Sequence, residues 1–154
     1  IVLCTNTMHK VAPAIEAAVD IPLFHIADPT ARAIQQAGMR KIGLLGTRFT
    51  MEQPFYKDRL RELHGLEVVV PAPEDRDIVH RIIYEELCLG QIVGASRDAY
   101  RRIIVALVAQ GAEGIILGCT EISLLVAQQD ASVPLFDTTS IHATSAALWA
   151  LDQT

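Results

Sequence analysis

The sequence predicts an α/β fold built on a parallel sheet with right-handed crossovers. Short apolar runs such as Lys41–Leu45 and Leu66–Val70 read as buried strands, and they alternate along the chain with segments of helical spacing. The run Ile115-Ile116-Leu117-Gly118-Cys119-Thr120-Glu121-Ile122 is the fullest case. Its apolar half reads as a strand that delivers a thiol to its carboxyl end, and its polar half as the start of the next helix. Open α/β sheets hold ligands and reactive groups at that end, and a helix N-terminus behind a cysteine favours the thiolate. The opening Ile1-Val2-Leu3-Cys4-Thr5-Asn6-Thr7 has the same shape. A free cysteine taken alone is most often a buried packing residue. Two of them, each at a strand end before a polar helix start, point as readily to chemistry.

Taken in order, Ile1 to Cys4 is expected as a strand and Thr7 to about Val19 as a helix. Thr5, Asn6 and Thr7 cap that helix and leave backbone N–H groups for an anion such as a carboxylate. His9 falls on the first turn, where a solvated polar residue is expected. Ile21 to Ile26 is a short strand. Asp28 before Pro29 reads as an N-cap, with the helix ending at Gly38. Lys41–Leu45 is followed by Gly46-Thr47-Arg48-Phe49-Thr50, a hydroxyl-rich turn in which Thr47 and Thr50 are candidate donors to a carboxylate and Arg48 a candidate partner for one. A helix from about Met51 to Leu63 is interrupted by Pro54, and the strand Leu66–Val70 is closed by Pro71 and Pro73. Asp77–Leu87 and Ser96–Gln110 have helical spacing, and Gly111 ends the second. The central strand then begins at Gly114, and a last strand runs from Val133 to Asp137. Thr138 to about Leu151 is the final helix, with Ile141, Ala147, Leu148 and Leu151 expected to face inward and Trp149 and the tyrosines to pack. No phosphate-loop or dinucleotide fingerprint is present, because the glycines are too few and wrongly spaced.

Composition sets outer limits. The 154 residues suggest one domain, able to bury roughly 70% of its unfolded surface. With 51% hydrophobic and 20% charged residues the chain has an ordinary globular composition. No apolar run approaches the ~20 residues that cross a bilayer, so no membrane partner is expected. A net charge of −5 argues against a nucleic-acid surface. Three cysteines, an odd number without close pairs, do not form a disulfide framework, and a reducing cytoplasmic setting is expected. The five histidines are scattered, so no metal site is expected. The chain opens in mid-strand without an initiator Met, which reads as a fragment; an exposed fragment face is compatible with a homodimer.

Leu3-Cys4-Thr5-Asn6-Thr7-Met8-His9 and Leu117-Gly118-Cys119-Thr120-Glu121-Ile122 resemble the paired cysteine motifs of the aspartate/glutamate racemase family, the cofactor-independent amino-acid racemases. The resemblance continues through Leu44-Leu45-Gly46-Thr47, Ile83-Tyr84-Glu85-Glu86-Leu87 and Phe136-Asp137-Thr138, and covers the later two-thirds of such an enzyme. It implies two pseudo-symmetric parallel-sheet lobes facing across a cleft. Residues 1–24 would be the remnant of an incomplete first lobe, 25–137 the second lobe, and 138–154 the C-terminal helix returning to the first. Cys4 and Cys119 would be the catalytic residues on opposite cleft walls, with Thr5, Asn6, Thr7, Thr47, Thr50 and Thr120 binding the amino-acid substrate. Neither pyridoxal phosphate nor metal is implied.

Two thiols suit inversion of a stereocentre. One removes the α-proton from one face while the other returns a proton to the opposite face, whereas a single base tends to give back the proton it took. Glutamate racemases typically have His after the second Cys-Thr, where this chain has Glu121, whose charge opposes the thiolate at Cys119; its plain role is a first-turn acid. Relatives acting on acidic substrates often show Ile-Tyr-Glu-x-x-Lys-x-Gly, and this chain has Cys88 in place of that lysine. As a third thiol Cys88 is expected to be a helix-packing residue. The competing readings are a related two-cysteine enzyme of hydantoin racemase or maleate isomerase type, and a truncated lobe that only binds a small acid.

Overall fold

The computed structural model describes residues 1–152; the last two residues of the expected segment 138–154 lie outside the described residues. Its centre is a four-stranded parallel sheet of β1 (Lys41–Gly46), β2 (Glu67–Val69), β3 (Gly114–Gly118) and β4 (Leu135–Asp137), in the order β2-β1-β3-β4. Gly46 pairs with Gly118, so the two central strands end level with each other. Around the sheet lie α1 (Ala12–Ala18), α2 (Ala27–Gln36), α3 (Arg48–Glu52), α4 (Pro54–His64), α5 (Pro73–Glu85), α6 (Gly94–Ala109), α7 (Ile122–Leu125) and α8 (Thr138–Asp152).

Alternation along the strands divides the core in two. Ile42 and Leu44 of β1 and Ile116 of β3 face α2 and α4, where they meet Ile34, Tyr56 and Leu60. Leu45, Ile115 and Leu117 face the other way and pack on Ile82 and Ile83 of α5 and Tyr100, Ile103 and Leu107 of α6. Both faces are covered, which is why the central strands are continuously apolar rather than alternating.

Prolines move several element boundaries from their expected places. The helix expected from Thr7 to Val19 is a 3-10 turn over Thr7–Val11 followed by α1, because Pro13 lacks the N–H that would continue an α-helix from His9. Pro54 likewise divides the helix expected from Met51 into α3 and α4. Pro73 instead starts α5 four residues earlier than its spacing suggested, and Pro134 holds β4 back to Leu135. The strands expected at Ile1–Cys4 and Ile21–Ile26 reduce to a single parallel bridge, Val2 with Phe24, flanked by Phe24 N–H donating to the Ile1 carbonyl at 2.8 Å. Pro22 has no donor to extend that ladder.

Three side-chain expectations also change. Asp28 does not cap α2, which begins at Ala27. It accepts a two-pronged pair from Arg59 at 2.7 and 2.8 Å and lies 3.1 Å from His64 Nε2. The outer half of α8 faces solvent: Ala147, Leu148, Trp149 and Leu151 are exposed, and only its first turns, through Ile141 and His142, reach the core. Trp149 keeps one ring neighbour, Phe24, at 6.1 Å. Tyr56 and Tyr100 are buried as expected, whereas Tyr84 is exposed.

His9 is the largest departure, being buried rather than solvated. Ile26 N–H donates to its Nε2 at 3.2 Å, so its Nδ1 carries the proton and donates to the Thr5 carbonyl at 2.7 Å. Its ring lies 4.2 Å from that of His25 and 6.1 Å from that of His142. Ala27 N–H donates to His25 Nδ1, and His142 Nε2 lies 2.8 Å from the Phe24 carbonyl. Three buried histidines thus tie the segment 1–26 to α2 and α8. Burial lowers His9 to about 4, against the raising effect of its bond to Thr5, and burial with the neighbouring His9 lowers His25 to about 3. His142 and Arg59 add to the lowering, and Asp28 opposes it at His25.

Both pKa values lie below the ordinary histidine value near 6.5, so the stability these rings contribute is complete above that pH and is lost as pH falls through 6.5 towards 4 and 3. Between pH 7 and 4.5 the unfolding free energy should fall by on the order of 3 kcal/mol or more, read from urea midpoints at constant ionic strength. His25→Asn, whose Oδ1 can replace Nδ1 as acceptor, should reduce that loss.

Candidate active site

Glycine at two paired positions brings the functional ends of β1 and β3 together. A Cβ on Gly46 would lie 2.9 Å from the Gly118 carbonyl oxygen, and a Cβ on Gly118 would lie 2.9 Å from the Leu45 carbonyl oxygen. No side chain fits either place without separating the strands. With both positions bare, Thr47 and Cys119 leave the sheet side by side at its carboxyl edge. Thr47 caps the short α3, its Oγ1 accepting from Thr50 N–H at 3.3 Å.

The segment Thr5–Thr7 is fastened onto this edge from the other side. Thr7 Oγ1 lies 3.0 Å from Thr47 Oγ1 and 3.3 Å from Thr50 Oγ1, and those two are 3.2 Å apart, so three hydroxyls form a closed triangle. Asn6 Nδ2 donates to Thr138 Oγ1 at 3.0 Å, and Thr138 donates to the Leu117 carbonyl at 2.8 Å. Thr138 spends its single proton on Leu117 and can only accept from Asn6, which fixes the Asn6 amide with its nitrogen towards Thr138. Asn6 Oδ1 is left buried without a hydrogen-bond partner.

Between the two edges lies a cavity of about 290 Å³. Of the expected site residues, Thr5, Asn6, Thr7, Thr47, Cys119 and Thr120 all line it. Thr50 does not; it is fully buried and holds Thr7 and Thr47 from behind. Cys4 is exposed and lines an adjoining cavity of about 90 Å³ with Ile26, Thr139 and His142. Thr120 lines both cavities. Arg48 turns away and pairs with Asp77.

Three lining residues escaped the reading of the sequence, Met8, Ile83 and Tyr84, and Cys88, singled out there as replacing a lysine of relatives, lines the cavity as well. Cys88 is exposed and sits in a 3-10 turn after α5, so it is not a helix-packing residue.

The charge at Cys119 is the reverse of the one expected from a helix start. α7 is a single turn, and Cys119 Sγ donates to Glu121 Oε2 at 2.9 Å. Burial, with the hydrogen bond and negative charge of Glu121, pushes the Cys119 thiol up to about 12. Burial alone would raise the Glu121 carboxyl too, but the bonds it receives from Cys119 and Thr120 hold it below the ordinary range. Cys119 is therefore a protonated thiol resting on a carboxylate.

The profile of the Asp/Glu/Hydantoin racemase family matches residues 1–146. The chain belongs to this family. A crystal structure described as that of a putative Asp/Glu racemase from Yersinia pestis is 68% identical, with a TM-score of 0.93, over 98% of this chain and 66% of that one. An aspartate racemase homologue from Pyrococcus horikoshii is 40% identical, with a TM-score of 0.86, over 97% of this chain and 66% of that one. A broad specificity amino-acid racemase from Bacillus subtilis is 21% identical over 153 residues, 94% of this chain and 62% of the relative. The chain thus spans about two-thirds of the length of these racemase-family proteins.

Two outcomes follow for this racemase-family site. Alkylation of Cys119 by iodoacetamide, located by peptide mass mapping, should be slow at pH 8 and rise about tenfold per pH unit towards 12, and Glu121→Gln should speed it about tenfold at fixed pH. Gly118→Ala should cost about 1–3 kcal/mol of unfolding free energy through overpacking against β1, read by urea denaturation.

Proposed function

We propose that the protein is an amino-acid racemase of the reducing cytoplasm that inverts the α-carbon with two cysteines, using neither pyridoxal phosphate nor metal. The observation that carries this reading is the convergence of the Thr5–Thr7 segment and the Cys119–Glu121 segment on one cavity whose wall is sewn together by hydroxyls. Thr5 and Thr120 supply donors for an amino-acid carboxylate, and one proton of the Thr7–Thr47–Thr50 triangle turns outward to join them, because the carboxylate must be stabilised as negative charge spreads into it during proton loss. Thr50 holds two of those hydroxyls in place. The bare Asn6 Oδ1 is an acceptor that a substrate ammonium N–H can satisfy.

Two-base inversion needs one thiol and one thiolate at the start. Cys119, protonated on Glu121, takes the role of proton donor, and Cys4 takes the α-proton from the opposite face. The roles exchange for the other enantiomer. Cys4 reaches the reacting carbon past Thr120, the residue common to both cavities.

In the complete protein, Cys4→Ser and Cys119→Ser should each lower racemisation roughly 10²–10⁴-fold in both directions. Exchange of the α-proton in heavy water, followed by NMR, should persist for one enantiomer only in each variant, with opposite preference in the two. Normal racemisation by Cys4→Ser, or equal exchange of both enantiomers by both variants, would refute the two-base assignment. Pretreatment with a chelator or a carbonyl-trapping reagent should leave the rate unchanged.

A further inference from the structure

Thr138 is fully buried and lines neither cavity, yet its hydroxyl touches both arms of the site. It is the first residue of α8, and the preceding Asp137 pins that turn, its Oδ1 accepting from Thr139 N–H at 2.9 Å and Ser140 N–H at 3.4 Å. From this fixed place the Thr138 hydroxyl meets the Leu117 carbonyl, two residues before Cys119, and the Asn6 side chain, 132 positions away in the chain.

The protons along this path can be placed in one way. The Leu117 carbonyl has none to give, so the Thr138 hydroxyl donates to it and has only lone pairs left for Asn6. A flipped Asn6 amide would set Oδ1 against Oγ1 with no proton between them. Thr138 therefore holds the nitrogen end of the amide and leaves the oxygen end free. Asn6 does not spend that oxygen on its own segment. It directly precedes the 3-10 turn Thr7–Val11, where an asparagine side chain ordinarily caps, and it makes no capping bond there. The oxygen stays buried without a partner, a costly condition, on a residue that lines the larger cavity. A ligand that donates a hydrogen bond would complete it.

We infer that Thr138 is a positioning residue of the racemase site: by accepting from Asn6 it keeps an acceptor, rather than a donor, available to the α-nitrogen of the substrate. The inference rests on the racemase reading and adds to it a residue that never meets the substrate. Its effect falls on binding rather than on chemistry. The ammonium keeps its charge while the α-proton leaves, so its bond to Oδ1 is alike in the ground state and the transition state and is felt in KM.

The test is a double-mutant cycle in the complete protein. It reads α-proton exchange in heavy water by NMR, using whichever of alanine, methionine, lysine, aspartate and glutamate exchanges fastest. Thr138→Val, which keeps the shape and removes the hydroxyl, should raise KM about tenfold while kcat changes less than about threefold. Thr138→Ser restores the hydroxyl and should bring KM back to within about twofold of the unmodified protein. Asn6→Ala should raise KM by a similar factor, and adding Thr138→Val to it should raise KM no further, because both changes remove one contact. KM is a property of the folded fraction alone, and Thr138→Ala takes the place of Thr138→Val if the valine variant does not fold. In the isotope-labelled unmodified protein, the Asn6 side-chain NH2 protons should show a nuclear Overhauser contact to the Thr138 methyl group. An unchanged KM on loss of the hydroxyl, KM effects that multiply in the double variant, failure of serine to restore KM, or absence of that contact would overturn the inference and leave the racemase reading standing. Exchange of none of the five amino acids would overturn the racemase reading itself.

Discussion

Everything at the carboxyl edge of the sheet depends on how closely β1 and β3 approach at Gly46 and Gly118. Side chains at those positions would collide with the backbone of the opposing strand, so the pair is bare. The consequence is positional. Thr47 and Cys119 emerge level with each other from adjacent strands, close enough for one small molecule to touch both. A wider spacing would place the hydroxyl triangle and the thiol in separate depressions. The strand interiors behind them are rigid for a different reason, being packed on both faces by α2 and α4 on one side and α5 and α6 on the other. Reactive groups thus hang from a scaffold that has no freedom to slide.

The opening segment has no such scaffold and is held by polar contacts instead. It is joined to its neighbour by one β-bridge, too little to fix Cys4 to Thr7. What fixes them is Thr7 in the hydroxyl triangle, Asn6 on Thr138, and the His9 imidazole spanning Thr5 and Ile26. These bonds are local in effect but join residues as far apart as Asn6 and Thr138. Burying the His9 and His25 imidazoles together makes the arrangement dependent on pH, because a proton added to either enters a site already closed to water. The same network that places the Cys4 segment therefore sets a lower pH limit on its placement.

The sheet was legible in the sequence because its strands announce themselves. Apolar runs such as Ile115-Ile116-Leu117, ended by glycine and a polar cap, have few alternative readings. The family was legible from two cysteine motifs, and six of the eight expected site residues do line one cavity. What the sequence left out was decided by long-range packing. His9 reads as a solvated first-turn residue until Ile26 and Thr5 are brought to its two nitrogens. Arg48 reads as a ligand for an anion until α5 presents Asp77 to it. The lining residues Met8, Ile83 and Tyr84 come from the first 3-10 turn and α5, and no local pattern joins those segments. Proline placement shifted the element ends for local reasons, but its effect depended on where each helix was otherwise able to begin.

Glu121 is where local and tertiary effects meet most directly. By position it is an acid at a helix start, where the backbone dipoles favour its charge. α7 is too short to supply much of that field, and the carboxylate is stabilised instead by the Cys119 thiol and Thr120. Stabilising Glu121 as an anion and Cys119 as a neutral thiol is a single arrangement of one proton between two atoms 2.9 Å apart. Ionising the thiol would set two negative charges in contact within a half-buried site, which is the physical content of its raised pKa. In the proposed reaction this makes the two thiols unequal before substrate arrives. One waits as a proton donor, held by a neighbour that cannot release it cheaply. A positively charged substrate ammonium entering beside Asn6 would weaken the repulsion between Glu121 and a Cys119 thiolate. Substrate binding itself would then lower the barrier to the reverse assignment, in which Cys119 is the base and Cys4 the acid, so that the same two thiols can serve both enantiomers.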